Sequence, residues 1–280
     1  MGVGTVAIEA LMRIGMVTLC SLRGQQAANL EKIEAFAEQA AAAGCDLVLF
    51  PEFSVHGPWV TYDADADLAD LETQSEAIPG PSTERLARLA ARLGLAIGAG
   101  IAERGLAPKP FNAYVIVDGD GVRHVQRKLQ PTTSEMDFYR GGGDDMAPFR
   151  LGPHTIGVTI CADNESPAIH DTLVGLGARV IVEPHFDCIK DFQNAGDSWD
   201  KILDFNQRDT LKRRAENLAE RLGVFALYFD AKDPRGDFNE RPNWPHRVTG
   251  RSAVFGPGGA LLAANAGNEE SLLVVDIEPA

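Results

Sequence analysis

The run Asp46-Leu47-Val48-Leu49-Phe50, closed by Pro51, is apolar on both of its alternating faces. A strand of that kind has to be covered on both sides, which favours a parallel sheet with helices packed over it. The segments around it agree. Arg13–Cys20 reads as a strand, and Asn29–Ala43 has helical composition and stops at Gly44. Ser82–Leu93 reads as a helix that starts after Pro81 and ends at Gly94, and Leu95–Ile101 as a strand. A second alternation opens at Thr155–Cys161, with a helix from about Ser166 to Leu176, a strand Arg179–Val182, a long polar helix around Trp199–Leu222 and a strand Gly223–Phe229. Such a rhythm predicts an α/β fold. Each half ends in hairpins. Asp118-Gly119-Asp120-Gly121 leads into Val122–Leu129, while Gly256-Pro257-Gly258-Gly259 joins Ser252–Phe255 to Ala260–Ala264, ahead of a last strand Leu272–Ile277. No linker or repeat separates the halves, so residues 12–280 read as one domain. Residues 1–11 read as an extension, either disordered or preceding a start at Met12.

A chain of 280 residues, 45% of them hydrophobic, can bury a sizeable core without disulfide or metal staples. Its net charge of −14 argues against nucleic acid or an anionic membrane surface as partner, since either would need basic patches. No segment approaches the length of a membrane span. The cysteines Cys20, Cys45, Cys161 and Cys188 are scattered without Cys-x-x-Cys spacing, so no zinc or disulfide framework is suggested. A reducing, cytoplasmic setting is expected.

Three apolar strands run into reactive side chains. Asp46–Phe50 leads through Pro51 to Glu52, Val122–Leu129 carries Lys128, and Thr155–Ile160 delivers Cys161. Taken singly, Glu52 reads as a surface or capping carboxylate, Lys128 as a solvated strand face and Cys161 as a small core residue. Taken together, a carboxylate, an ammonium and a thiol at strand ends are what the cleavage of an unactivated amide or nitrile needs. The thiol attacks, the carboxylate shuttles protons and the cation steadies the developing oxyanion.

Leu47-Val48-Leu49-Phe50-Pro51-Glu52-Phe53, Arg127-Lys128-Leu129-Gln130-Pro131-Thr132 and Gly157-Val158-Thr159-Ile160-Cys161-Ala162-Asp163 resemble, in order and spacing, the Glu, Lys and Cys motifs of the nitrilase superfamily of carbon–nitrogen hydrolases. Gly177–Val182, Arg214-Ala215-Glu216-Asn217 and Gly250-Arg251-Ser252 through Pro257-Gly258-Gly259 extend the likeness over about residues 12 to 277. The resemblance implies a four-layer αββα sandwich that pairs into a homodimer or higher homo-oligomer. It implies Glu52, Lys128 and Cys161 as the catalytic triad, and Glu135 as a second glutamate seven positions after the lysine. The Lys128 ammonium and the Ala162 backbone N–H are the expected oxyanion donors. No metal or organic cofactor is expected.

Two positions depart from the family pattern. Where many members carry a Glu answered by an Arg after the cysteine, this chain has Ala168 and Asp171, so that structural ion pair is expected to be missing. Asp163 and Asn164 read as caps of the helix that starts there. His185, Phe186, Tyr139 and Trp59 follow the catalytic strands and are the candidate substrate contacts, with His56 and Phe138 as further pocket walls or plain packing. The loops Pro58–Gly80, Phe186–Ser198 and Asp230–Thr249 are where specificity is expected. The substrate expected is a small linear amide or an N-carbamoyl compound. The alternatives are a nitrile, or a metabolite held by a non-catalytic relative.

Overall fold

A computed structural model describes residues 11–59, 64–106, 108–186, 188–190, 212–232, 246–248, 250–265 and 269–278. The first sheet is built from β1 (Met12–Thr18), β2 (Leu47–Leu49), β3 (Ala96–Glu103), β4 (Phe111–Asp118) and β5 (Gly121–Arg127), with the last strand, β14 (Ser271–Ile277), on the outer side of β1. The second comprises β6 (Phe149–Leu151), β7 (His154–Val158), β8 (Val180–His185), β10 (Phe225–Asp230), β12 (Ser252–Phe255) and β13 (Leu261–Ala264), in the order β13-β12-β10-β8-β7-β6. β1, β2 and β3 run parallel, as do β7, β8 and β10, and hairpin partners flank each parallel set.

Residue alternation explains the layering. Ile14, Met16, Leu47, Leu49, Tyr114 and Ile116 meet Ile156, Val158, Val180, Val182, Leu227 and Phe229 in a core between the sheets. Their neighbours Val17, Val48, Ile97 and Val115 point the other way, onto Leu30 and Ile33 of α1 (Gln26–Ala42) and Leu86 and Leu89 of α3 (Pro81–Leu93). On the far side Ile181, Ala226 and Tyr228 pack on Ile169 and Leu173 of α4 (Pro167–Gly175) and on Ala215 and Leu218 of α5 (Lys212–Leu222). Side chains that alternate with period two are therefore buried on both faces, and the result is an αββα sandwich.

The structure corrects several sequence expectations. The expected loop Pro58–Gly80 contains a helix, α2 (Ala64–Gln74), anchored by Leu71, which is fully buried in an aromatic cluster. The other two expected loops are tied together, because β9 (Cys188–Lys190) in one pairs antiparallel with β11 (His246–Val248) in the other. Asp171 does not stand alone in place of the missing pair: its carboxylate accepts from the Arg221 guanidinium, bridging α4 and α5. The part of the expected Trp199–Leu222 helix before residue 212, and residues 1–10 of the expected extension, lie outside the described residues. Among the described residues no helix is long and apolar enough to cross a membrane.

Candidate active site

Since β2 and β3 are parallel and β4 is antiparallel to both β3 and β5, the carboxyl ends of β2, β3 and β5 lie beside the start of β4. Glu52 sits in the turn that leaves β2. That turn is bonded to β3 through Phe50 N–H to Gly98 O (2.8 Å) and Val55 N–H to Gly100 O (2.9 Å). The Tyr114 hydroxyl on β4 donates to Phe50 O at 2.8 Å. Close approach requires Gly100 to lack a side chain, because a Cβ there would lie 2.4 Å from Phe53 N and 2.9 Å from Pro51 O. Phe53 itself is held at φ 60°, a left-handed conformation uncommon outside glycine.

Lys128 is the first residue past β5, and its N–H donates to Asn112 O at 2.8 Å. Its ammonium donates to Glu52 Oε1 at 2.8 Å and to Glu135 Oε1 and Oε2 at 2.8 and 2.7 Å. Glu135 opens a 3₁₀ turn, Glu135–Asp137, and its Oε2 also accepts the Thr132 N–H at 2.8 Å. Asn112, near the start of β4, donates through Nδ2 to Glu52 Oε1 (2.6 Å) and to Glu135 Oε1 (3.1 Å). Sequence reasoning missed this residue. A lone amide in the apolar run Phe111-Asn112-Ala113-Tyr114-Val115 was the available signal.

All four side chains are at most 3% exposed. Burial of two carboxylates around one ammonium pushes their affinities for protons apart. Burial drives the Glu52 carboxyl above the usual carboxylate range, and the Glu135 charge adds to this against the opposing pull of Lys128 and Asn112. For Glu135 burial acts in the same direction but is outweighed by Lys128 and the Thr132 N–H, so its carboxyl is held below that range. Burial alone would lower the Lys128 ammonium, yet Glu135, Glu52 and Cys161 raise it well above an ordinary lysine.

Cys161 lies past the end of β7, not on the strand, as the first residue of a 3₁₀ turn, Cys161–Glu165. Its φ of 47° is outside the strand region, and the expected Thr155–Cys161 strand ends earlier still, at Val158. Unlike its charged neighbours it is partly exposed. The side chains expected as helix caps fasten this turn. Asp163 accepts N–H bonds from Leu129 (3.0 Å) and Gln130 (2.8 Å), just past Lys128, and from Ile160 (3.2 Å), just before the cysteine. Asn164 accepts from Thr159 Oγ1 (2.6 Å) and donates to Thr159 O (3.2 Å). Ala162 is the second residue of this turn. The first N–H groups of a helical turn have no partner inside it.

Trp59, Tyr139 and Phe186 share a buried aromatic cluster with Phe53 and Phe138. Tyr139 stacks on Phe53 at 5.6 Å and Phe186 meets it edge-on at 5.7 Å, so both bear on the residue next to Glu52. The Tyr139 hydroxyl is buried without a partner among the described residues, and the charges of Glu135 and Glu52 act on it. Trp59 is covered by the Arg23 guanidinium, 4.3 Å from its ring centre. His185 stands apart from this cluster: it lies under the cysteine turn, 3.1 Å from Asn164 Nδ2 and 4.2 Å from the Tyr228 ring. His56 accepts the Ala102 N–H at 3.1 Å behind the Glu52 turn. Among the described residues no cluster of His, Cys, Asp and Glu has the arrangement of a metal site.

Residues 13–210 match the carbon–nitrogen hydrolase family profile. The "Hydrolase in pqqF 5′region" of Pseudomonas protegens is 28% identical over 251 residues, 89% of this chain and 76% of that protein. An aliphatic nitrilase of Sinorhizobium fredii is 26% identical over 281 residues, 95% of this chain and 86% of the relative. An amidase from Nesterenkonia sp. superposes with a TM-score of 0.74 over 99% of this chain and 94% of its own; at 20% identity that likeness bears on the fold. The superposition agrees with the αββα sandwich seen here. The chain belongs to the carbon–nitrogen hydrolase family of the nitrilase superfamily, and it is a hydrolase enzyme.

Proposed function

We propose that the chain hydrolyses a small linear amide or N-carbamoyl compound through a thioester on Cys161. The observation that carries this reading is the Lys128 ammonium, bonded to Glu52 and Glu135, on a residue whose neighbour Leu129 donates its N–H to Asp163 of the Cys161 turn. Glu52 Oε1 is already engaged by Lys128 and Asn112, whereas Oε2 is buried with no partner among the described residues. Oε2 is therefore the atom that carries the proton. It takes the proton of the Cys161 thiol as sulfur bonds to the substrate carbon and the carbonyl π pair moves onto oxygen. The Lys128 ammonium and the Ala162 N–H hold that oxyanion, a contribution of several kcal/mol where one such donor is worth roughly 3–4. When the oxyanion collapses, the C–N bond breaks, the nitrogen takes the proton from Oε2, and ammonia or an amine leaves. Glu52 next removes a proton from water, which attacks the thioester. The C–S bond breaks, the proton returns to sulfur and the acid departs. Glu135 stays ionised as the counter-charge of Lys128. His185, Phe186, Tyr139 and Trp59 are the proposed substrate surroundings, with Phe186 and Tyr139 nearest to Glu52 by way of Phe53.

The 26% identity to an aliphatic nitrilase over 95% of the chain favours a second reading, in which the carbon attacked is that of a nitrile. Ammonia release from a panel of amides, ureido compounds and nitriles separates the two. Intact-mass spectrometry with a turned-over amide is expected to show an acyl adduct that is missing from Cys161→Ala. Full activity in Cys161→Ala would end the proposal.

A further inference from the structure

Asn112 has a conformation that its surroundings fix. Its Nδ2 points at Glu52 Oε1 (2.6 Å) and Glu135 Oε1 (3.1 Å), both carboxylate acceptors. Turning the amide over would set Oδ1 against two carboxylates, so the orientation is unambiguous. With Nδ2 committed in this way, Oδ1 is left buried and without a partner among the described residues. So is Glu52 Oε2, on the side chain that Asn112 grips. Both residues are at most 2% exposed. Buried polar atoms are nearly always paired, and two orphan acceptors on directly bonded side chains, at the Lys128 ammonium, call for a ligand that brings two donors.

We infer that Asn112 is a specificity-determining residue: its Oδ1 and Glu52 Oε2 receive the two N–H bonds of a terminal –C(=O)NH₂ group. The inference rests on the hydrolase reading above and sharpens it. A primary amide and an N-carbamoyl compound both end in that group. A nitrile nitrogen carries no hydrogen and would leave both acceptors unpaired; an N-alkyl amide would leave one unpaired. A site built to bond a substrate N–H discriminates strongly against analogues that lack it, because its own buried groups then lose their partners. The same contact places the nitrogen on the atom that must give it a proton, so the leaving group is ammonia.

The test compares a primary amide, its N-methyl amide and the corresponding nitrile, all with the acyl group that the wild-type enzyme turns over best in the panel above. Wild type is expected to favour the primary amide in kcat/KM by about 100-fold or more over both analogues. Asn112→Leu, close to isosteric, should lower the amide value at least tenfold further than the nitrile value, compressing that preference. Asn112→Ser is the second variant should the leucine disturb folding, and the wild-type preference needs no variant. A wild-type preference for the nitrile or the N-methyl amide overturns the inference, and so does an amide-to-nitrile ratio that neither substitution moves. If no amide, ureido compound or nitrile forms an adduct on Cys161, the hydrolase reading itself has failed, and this inference falls with it.

Discussion

Lys128 reaches Glu135 through both carboxylate oxygens, at 2.8 and 2.7 Å, but reaches Glu52 through Oε1 alone, at 2.8 Å. The asymmetry divides the labour. Glu135 is a counter-ion held below the usual carboxylate range, and Glu52 is held above it, as suits the proton carrier proposed above.

The first expected consequence is in the pH–rate profile. A base must be deprotonated to act, so kcat/KM should fall as pH drops through the raised value of Glu52. The acid limb should therefore lie above the roughly 4.3 of an ordinary glutamate. Glu135→Gln removes the negative neighbour that helps to raise Glu52. The limb should then move to lower pH, alongside a loss of kcat. The limb reports a value that belongs to the coupled pair. An unmoved limb in Glu135→Gln would show that the carboxylates do not share one electrostatic site.

Lys128→Met leaves two buried carboxylates facing each other without a cation. Losing one partner of a buried ion pair costs about 3–5 kcal/mol. We expect an inactive protein with a guanidinium midpoint well below wild type at pH 7. The orphaned carboxylates will titrate above their unfolded values, so the deficit should shrink as pH falls and they take up protons. A deficit that is equal at pH 7 and pH 5 would argue against this account.

Gly100→Ala tests how tightly the Glu52 turn is set. The added Cβ would meet the main chain at Phe53 and Pro51, which cannot yield as a flexible side chain can. Overpacking of this kind costs about 1–3 kcal/mol. A catalytic carboxylate displaced by about 1 Å loses on the order of 100-fold in rate. Circular dichroism should show a folded variant, and steady-state kinetics a kcat/KM reduced to that extent.

Three histidines make the fold sensitive to acid. His56, His124 and His170 are each lowered to about 4, chiefly by burial. Above the ordinary value of about 6.5 they are neutral in both folded and unfolded chains. Between 6.5 and 4 the unfolded chain binds their protons and the folded one does not, so stability is lost as pH falls through that window. For fully buried His56 the loss approaches about 1.4 kcal/mol per pH unit. Urea midpoints should drop between pH 6.5 and 4.5, and His56→Gln should flatten part of that slope.

The sandwich was legible in the sequence because its central strands are apolar on both faces, as at Leu47–Leu49 and Val180–Val182, and that pattern has few other solutions. The convergence of Glu52, Lys128 and Glu135 was implied by the family resemblance, whose motif spacing orders residues along the chain. Spacing says nothing of what crosses between strands. Asn112 stayed hidden for that reason: its importance lies in two bonds to residues 60 and 23 positions away. Asp163 read as a cap because caps are local, whereas its bonds to Leu129 and Gln130 span the gap to another strand end. Helix α2 was missed because Ala64–Gln74 has little apolar periodicity; among the described residues its apolar anchors are Leu71 and the partly buried Leu68.

The Asp163 clasp has one more consequence. Glu52, Lys128 and Asn112 ride on the first sheet and Cys161 on the second, so the proposed nucleophile and base sit on different sheets. Between them lies a mainly apolar core, crossed near its edge by Thr18 Oγ1 to Gly250 O (3.3 Å) and by Lys232 N–H to Leu19 O (3.0 Å). Asp163 works there like the pin of a vernier, holding the two scales in register. Turnover is thus a finer gauge of inter-sheet alignment than any spectrum of secondary structure, and it should fade while both sheets are still intact.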